Sequence, residues 1–147
     1  MRLPIQIQID IYRKNNFGIQ FLLLKRTKER GGFWQPITGG YESTDANKLE
    51  AAYRELNEET KITKENIIYK IEDFYSFEFI AENFNENGDA QIKEHVYAFE
   101  VKPDVTINID SNEHDKYMWA NYEKASNLVK YDTYKTAMKL ILKKIKK

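Results

Sequence analysis

A mixed α+β sandwich, with a β-sheet held between helices, is the fold class that this sequence predicts. Three observations carry it. Segments that alternate apolar and polar residues with period two occupy the start and the middle of the chain. Between them lies a stretch, from Asn47 to about Thr60, whose apolar residues recur at helical spacing. The chain then closes on two further helical stretches. Strands on both sides of a helix, followed by helices, fit one sheet covered on two faces. At 147 residues the chain reads as a single domain, 1–147, long enough to bury a core.

The elements follow in order. Residues 4–12, PIQIQIDIY, alternate and read as a half-buried strand. Asn15, Asn16 and Gly18 mark a turn, and residues 19–24, IQFLLL, read as a strand covered on both faces, so the two form a hairpin. Residues 25–32 form a charged loop. Its bases Lys25, Arg26, Lys28 and Arg30 are either solvated, the commoner case, or meet a polyphosphate. Residues 33–38 form an extended segment feeding a Gly39-Gly40 turn, where glycine permits positive φ and close backbone approach to a ligand. Residues 43–47 hold several cap formers, and Asn47 with Glu50 makes an imperfect capping box.

Residues 66–81 are one long or two short strands. Residues 82–89, ENFNENGD, carry the Asn-Gly signal of a hairpin. The strand returns over residues 91–102, with His95 on its surface. Residues 103–115 are irregular and acidic, residues 117–120 a short strand, and residues 121–129 a helix capped by Asn121. A last helix spans residues 131–146, with Tyr134, Met138, Leu140, Ile141 and Ile145 at helical spacing and a lysine-rich end suited to a helix C-terminus.

Composition excludes several function classes. Acids and bases balance at 23 each, so no basic field draws nucleic acid. With no cysteine there is no disulfide framework, no Cys-based zinc site and no thiol nucleophile. No apolar run approaches the ~20 residues that span a bilayer, and residues 1–15 lack the apolar core of a signal peptide. A soluble cytoplasmic protein without nucleic-acid or membrane partners is the expectation. Ten Tyr, eight Phe and two Trp suit strands and a flat-ligand pocket equally.

Chemistry concentrates in Arg54-Glu55-Leu56-Asn57-Glu58-Glu59. Glu55, Glu58 and Glu59 stand at i, i+3 and i+4 and share one helix face, while Leu49, Ala52, Tyr53, Leu56 and Thr60 gather on a face suited to packing. Like charges at that spacing cost an isolated helix about 0.2–0.5 kcal/mol per pair. A hard divalent cation removes the cost, because Mg²⁺ takes a few carboxylates together with substrate phosphates. A plain solvated face is the commoner meaning of such spacing, and the spacing alone does not separate the two.

With its flanks the stretch resembles the Nudix box of the Nudix (MutT-like) hydrolases: Gly, five residues, Glu, seven residues, then Arg-Glu-apolar-x-Glu-Glu-x-Gly-apolar. Arg54, Glu55, Leu56, Glu58, Glu59 and Ile62 match its second half, including every charged position. The first half departs: Gly40 matches, but the family Glu falls on Ala46, with Asp45 the nearest acid. The late Gly, which normally supplies a left-handed helix cap, is Lys61. The resemblance is specific over residues 33–62. More weakly, the Phe33-Trp34-Gln35 lead-in, the Glu113-His114 pair before a strand ending near Trp119, and the closing helix look like the branch acting on dATP-like nucleotides and dihydroneopterin triphosphate.

The resemblance implies a Nudix fold, an α/β/α sandwich with a mixed sheet. It implies Mg²⁺ or Mn²⁺ held by Glu55, Glu58 and Glu59 with the Gly40 carbonyl and a distant acid, best matched by Glu113; Glu94 and Glu100 are weaker matches. The implied reaction is hydrolysis of a phosphoanhydride in a nucleoside or pterin triphosphate to monophosphate and pyrophosphate. Arg54, Glu55, Glu58 and Glu113 are its candidate catalytic residues, with base and metal ligand undivided among the acids. Arg54 cannot be deprotonated, so its role is to orient a carboxylate such as Glu55. Phe33, Trp34, Gln35 and Gly39 are candidate substrate contacts, though Phe33 and Trp34 read equally well as core. The same box also suits nucleotide sugars, dinucleoside polyphosphates or a non-catalytic nucleotide-binding module. A homodimer is compatible with all of these.

Overall fold

The structure, a computed structural model, describes residues 2–145. Its centre is β1 (Arg2–Asn15), on which every other part of the sheet is assembled. One side of β1 pairs in parallel with β6 (Gly88–Val101), from Ile5 opposite Lys93 to Tyr12 opposite Glu100. On its other side β4 (Ile37–Glu42) runs antiparallel beside its first half, and β2 (Gly18–Arg26) beside its end. Beyond β6 lies β5 (Ile67–Asn85). β2 in turn carries the short β3 (Trp34–Gln35) on one edge and β7 (His114–Ala120) on the other. The sheet is therefore mixed, with seven strands.

Alternation along β1 divides the core in two. Ile7, Ile9 and Ile11 face α1 (Lys48–Thr60) and join Ala51, Ala52, Leu56, Ile37, Tyr97 and Phe99 in one buried cluster. Tyr12 faces the other way, into a cluster with Phe21, Leu23 and Ala98, covered by α2 (Tyr122–Leu128) and α3 (Asp132–Ile145). α3 contributes Tyr134, Ala137, Met138 and Ile141, residues three and four apart, as an apolar stripe requires. The result is the expected α/β/α sandwich. No helix of the described residues is long and apolar enough to cross a membrane.

Several sequence expectations are corrected here. Gly39-Gly40 is no turn: both residues are extended within β4, and neither has positive φ. Of the one long or two short strands expected over residues 66–81, the structure has the one, running on to Asn85 over 19 residues, with Asn66 outside it in a 3₁₀ turn; its register shifts between Ile71 and Tyr75 and again between Ala81 and Asn85. Its hairpin turn is tighter than expected, because Asn85 already pairs with Gly88. His95 is not a surface residue. It is only 9% exposed, with Nδ1 2.7 Å from Asp73 Oδ1. In the expected loop 25–32, Lys25 and Arg26 complete β2, and Lys28–Arg30 form a single 3₁₀ turn. The end of the last helix at Lys146 lies outside the described residues.

α1 starts and stops as its sequence demands. Asn47 Oδ1 accepts the backbone N–H of Glu50 at 2.9 Å. At the far end Lys61 takes the left-handed conformation (φ 64°, ψ 11°), and its N–H reaches the Asn57 carbonyl. A left-handed cap suits glycine, and any Cβ there is strained. Lys61→Gly should therefore stabilise the fold by about 0.5–1 kcal/mol, offset in part by unfolded-state entropy. Urea denaturation of the two proteins measures the difference.

Candidate active site

The packing of α1 decides where its acids go. Ala52 and Leu56 are buried in the core, while Glu55 lies against Gly39 of β4 and Glu59 against the segment ahead of β7. The last turn of α1 leaves carbonyls without intrahelical partners. Two are taken by the segment ahead of β7: Asn108 N–H bonds Thr60 O at 3.1 Å, and Asp110 N–H bonds Glu59 O at 3.3 Å. This brings Asp110 and Glu113 to the side chain of Glu59. Carboxylate oxygens of Glu59, Asp110 and Glu113 lie within 4.8 Å of one another.

Arg54 organises the other half. Its Nε and Nη2 donate to the two oxygens of Asp45, each at 2.9 Å, a bidentate fork. Nη2 also donates to the Gly40 carbonyl at 2.9 Å, and Nη1 to Glu55 at 2.8 Å and Glu58 at 3.4 Å. Asp45, next in sequence to the position where an acid was expected, thus reaches Arg54. This contact holds its carboxyl below the usual range. The glycine at 39 has a steric reason: a Cβ there would fall inside the Glu55 carboxylate. Glu55 consequently lies against bare backbone.

Charge in this place is under strain. Burial raises the Glu55 carboxyl to about 7, with Arg54 opposing and Glu58 and Glu113 adding to the rise. Glu59 is pushed up further, by burial first and then by Glu113, Glu55 and Asp110. Glu59 is 2% exposed, and neither of its side-chain oxygens has a hydrogen-bond donor. Buried carboxylates without partners are costly. Oxygen ligands from several acids in one recess are the donor set of a hard divalent cation, so these residues fit one.

Beside the cluster opens a cavity of about 510 Å³, lined by Phe33, Gln35, Phe77, Phe79, Tyr131, Arg26 and Glu94 among others. Gln35 links the two. Its Nε2 lies 3.3 Å from His114 Nε2, and His114 Nδ1 is 3.7 Å from Glu59 Oε2. An amide nitrogen only donates, so His114 accepts at Nε2 and carries its proton on Nδ1, toward Glu59. Burial lowers the His114 pKa, which keeps the ring neutral.

The structure brings together Gly40, Arg54, Glu55, Glu58, Glu59 and Glu113. Phe33 and Gln35 line the cavity. Trp34, on the opposite side of the strand, packs on the α2–α3 cluster, and Gly39 lies against Glu55. Arg26 lines the cavity, and Arg30 lies 3.6 Å from Glu113. Glu94 belongs to the cavity and not to the metal cluster, while Glu100 faces Lys14. Asp110 escaped the sequence reading. It sits in an irregular acidic run without periodicity, and its placement depends on a backbone bond to α1.

Residues 5–142 match the family described as NUDIX domain. Among solved structures, a Listeria monocytogenes protein assigned to the NUDIX hydrolases is 26% identical, with 98% of this chain and 95% of that one aligned at a TM-score of 0.83. An Ap4A hydrolase of C. elegans is 21% identical (96% of each chain, TM-score 0.77). The dihydroneopterin triphosphate pyrophosphohydrolase of E. coli is 23% identical (95% and 94%, TM-score 0.78). At these last two identities the likeness shows the fold. A curated relative, an octanoyltransferase of Myxococcus xanthus, is 29% identical over 117 residues, which cover 78% of this chain but 30% of that protein's length.

The raised carboxyls set a pH dependence. Glu55, Glu94 and Asp10 hold protons to about 7 in the folded chain, against 4.5, 4.5 and 3.8 ordinarily. The folded state therefore binds more protons across that window, and stability falls as pH rises through it. His114 acts with opposite sign, below 6.5. Between about pH 6.5 and 8.5 the metal-free chain should lose on the order of 2 kcal/mol or more in urea melts. Saturating Mg²⁺ should restore part of that loss, and more of it at the higher pH.

Proposed function

The chain belongs to the NUDIX domain family, and on that premise we propose that it hydrolyses a phosphoanhydride of a nucleoside triphosphate or a related pterin triphosphate, releasing monophosphate and pyrophosphate. The observation that carries this reading is Glu59: a buried carboxylate with no donor, grouped with Asp110 and Glu113 and joined through His114 and Gln35 to an aromatic-lined cavity. A flat ring fits the cavity, and a polyphosphate tail would extend toward the acids.

Glu55, Glu58, Glu59, Asp110 and Glu113, with the second lone pair of the Gly40 carbonyl, would hold Mg²⁺ or Mn²⁺. When bound, such a cation neutralises phosphate charge and lowers the pKa of water. Arg54 fixes the Glu55 carboxylate from one oxygen and braces β4 from the Gly40 carbonyl. Arg26 lines the cavity as a fixed cation for phosphate. Water adds across the P–O–P bridge: its oxygen joins one phosphorus, the bridging oxygen leaves with the other, and the protons pass to a carboxylate of the cluster and on to solvent. Desolvation of Glu55 makes it a better proton acceptor than a surface acid.

The test is pyrophosphate against phosphate release with Mg²⁺ across deoxynucleoside and nucleoside triphosphates, dihydroneopterin triphosphate, ADP-ribose and dinucleoside polyphosphates. Pyrophosphate from a triphosphate class is the expected result. Glu59→Gln should lower kcat by about a hundredfold or more, the size of losing one charge-stabilising group, with its fold checked by circular dichroism. Turnover confined to ADP-ribose or a dinucleotide would keep the site and overturn the substrate.

A further inference from the structure

Glu94 is a buried acid that the hydrolytic cluster does not use. It stands on β6 between Gln6 of β1 and Phe77 of β5, its direct neighbours across the sheet, so all three side chains share one face. That face is the floor of the aromatic cavity, and all three residues line it. Glu94 is 3% exposed. Oε1 accepts from Gln6 Nε2, and Oε2 has no donor.

Buried polar atoms are paired as a rule, and an unpaired oxygen on a carboxylate that lines a ligand cavity points to a donor on the ligand. Each carboxylate oxygen accepts two hydrogen bonds, so Oε2 is free and Oε1 keeps one site beside Gln6. Gln35, which also lines the cavity, is already engaged: it bonds His114 and accepts from Tyr134 at 3.4 Å. Aromatic side chains come from three parts of the chain: Phe77 and Phe79 from β5, Phe33 from the segment before β3, and Tyr131 from the position just before α3. They provide faces for a flat ring. Burial raises the Glu94 carboxyl to about 7, in line with a group that lacks its donors.

We propose that Glu94 is a specificity-determining residue that accepts two adjacent N–H donors from a 2-amino-4-oxo ring, as in guanine or a pterin, and discriminates against an adenine-type edge. Such rings offer a ring N–H beside an exocyclic NH₂, and a carboxylate matches that pair with two parallel hydrogen bonds. Adenine offers one donor beside a ring acceptor, which would face a carboxylate lone pair. Of the triphosphates considered above, this selects guanine- or pterin-based ones over dATP-like ones. The triphosphate reading enters only for what lies beyond the ring.

The experiment is calorimetric titration of the metal-free chain with neopterin, deoxyguanosine and deoxyadenosine up to millimolar concentration. These free compounds read the ring subsite without hydrolysis. Neopterin or deoxyguanosine should bind at least about tenfold more tightly than deoxyadenosine, because a site built for donors rejects a ring lacking them. The tighter of the two identifies the ring. Glu94→Gln, which replaces an acceptor with an amide, should bring the ratio within about threefold. Equal binding of all three compounds, preference for deoxyadenosine, absence of binding by the first two, or an unchanged ratio in a folded Glu94→Gln protein would each overturn the proposal. Should that variant not fold, the ranking by the unsubstituted chain decides alone. Ring selectivity without pyrophosphate release would count against hydrolysis and leave the subsite standing. Triphosphate turnover without ring selectivity would do the reverse.

Discussion

One guanidinium holds the site in register. Arg54 reaches an aspartate in the loop before its helix, a carbonyl in β4, and two glutamates of its own helix. Five donors in a rigid plane can serve that many partners at once, and a lysine could not. The loop, the strand and the helix thereby lose their freedom to slide past one another. Glu55 can press on the backbone of Gly39 only because that relation is fixed.

The negative charge gathered next to Arg54 works against folding. Leu56 and the two alanines of α1 are fully buried, and they fix the helix on the sheet strongly enough to carry acids into a recess where unpaired charge is unfavourable. The raised pKa values of Glu55 and Glu59 express that conflict as held protons. Apolar burial on one face of α1 and electrostatic strain on the other are two sides of one arrangement. A site with unmet demand for positive charge is what a polyphosphate–cation complex requires.

The legible part of the molecule was the part encoded locally. Alternation in β1, the apolar run of β2, the Asn47 cap and the stripe of α3 are each short-range patterns, and each became the expected element. The box residues were legible because one helix turn spaces them. What failed was tertiary. Gly39-Gly40 looks like a turn by residue type, yet it is strand because Glu55 needs the space. His95 looked solvent-facing, but a shift of register in β5 brings Asp73 over it. Phe33 and Trp34 were indistinguishable until β3 paired with β2 and sent their side chains to opposite faces. Asp110 and Glu94 share this limit: nothing within a few residues of either says what lies across the fold.

The parallel pairing of β1 with β6 bears on how the chain reaches this state. Ile5 meets Lys93 and Tyr12 meets Glu100, so the central contact closes a loop of nearly ninety residues. Such closures are entropically expensive and slow. On a ribosome, the first strand leaves the exit tunnel long before its partner is synthesised. Until then Ile7, Ile9 and Ile11 have only β2, β4 and α1 for cover. The acidic helix, with like charges at adjacent turns, has little helicity of its own to offer them. The Arg54 fork is local and able to form early, whereas the aromatic cavity needs β5 and α3 in place. The topology thus favours assembly from the Arg54 fork toward the aromatic cavity.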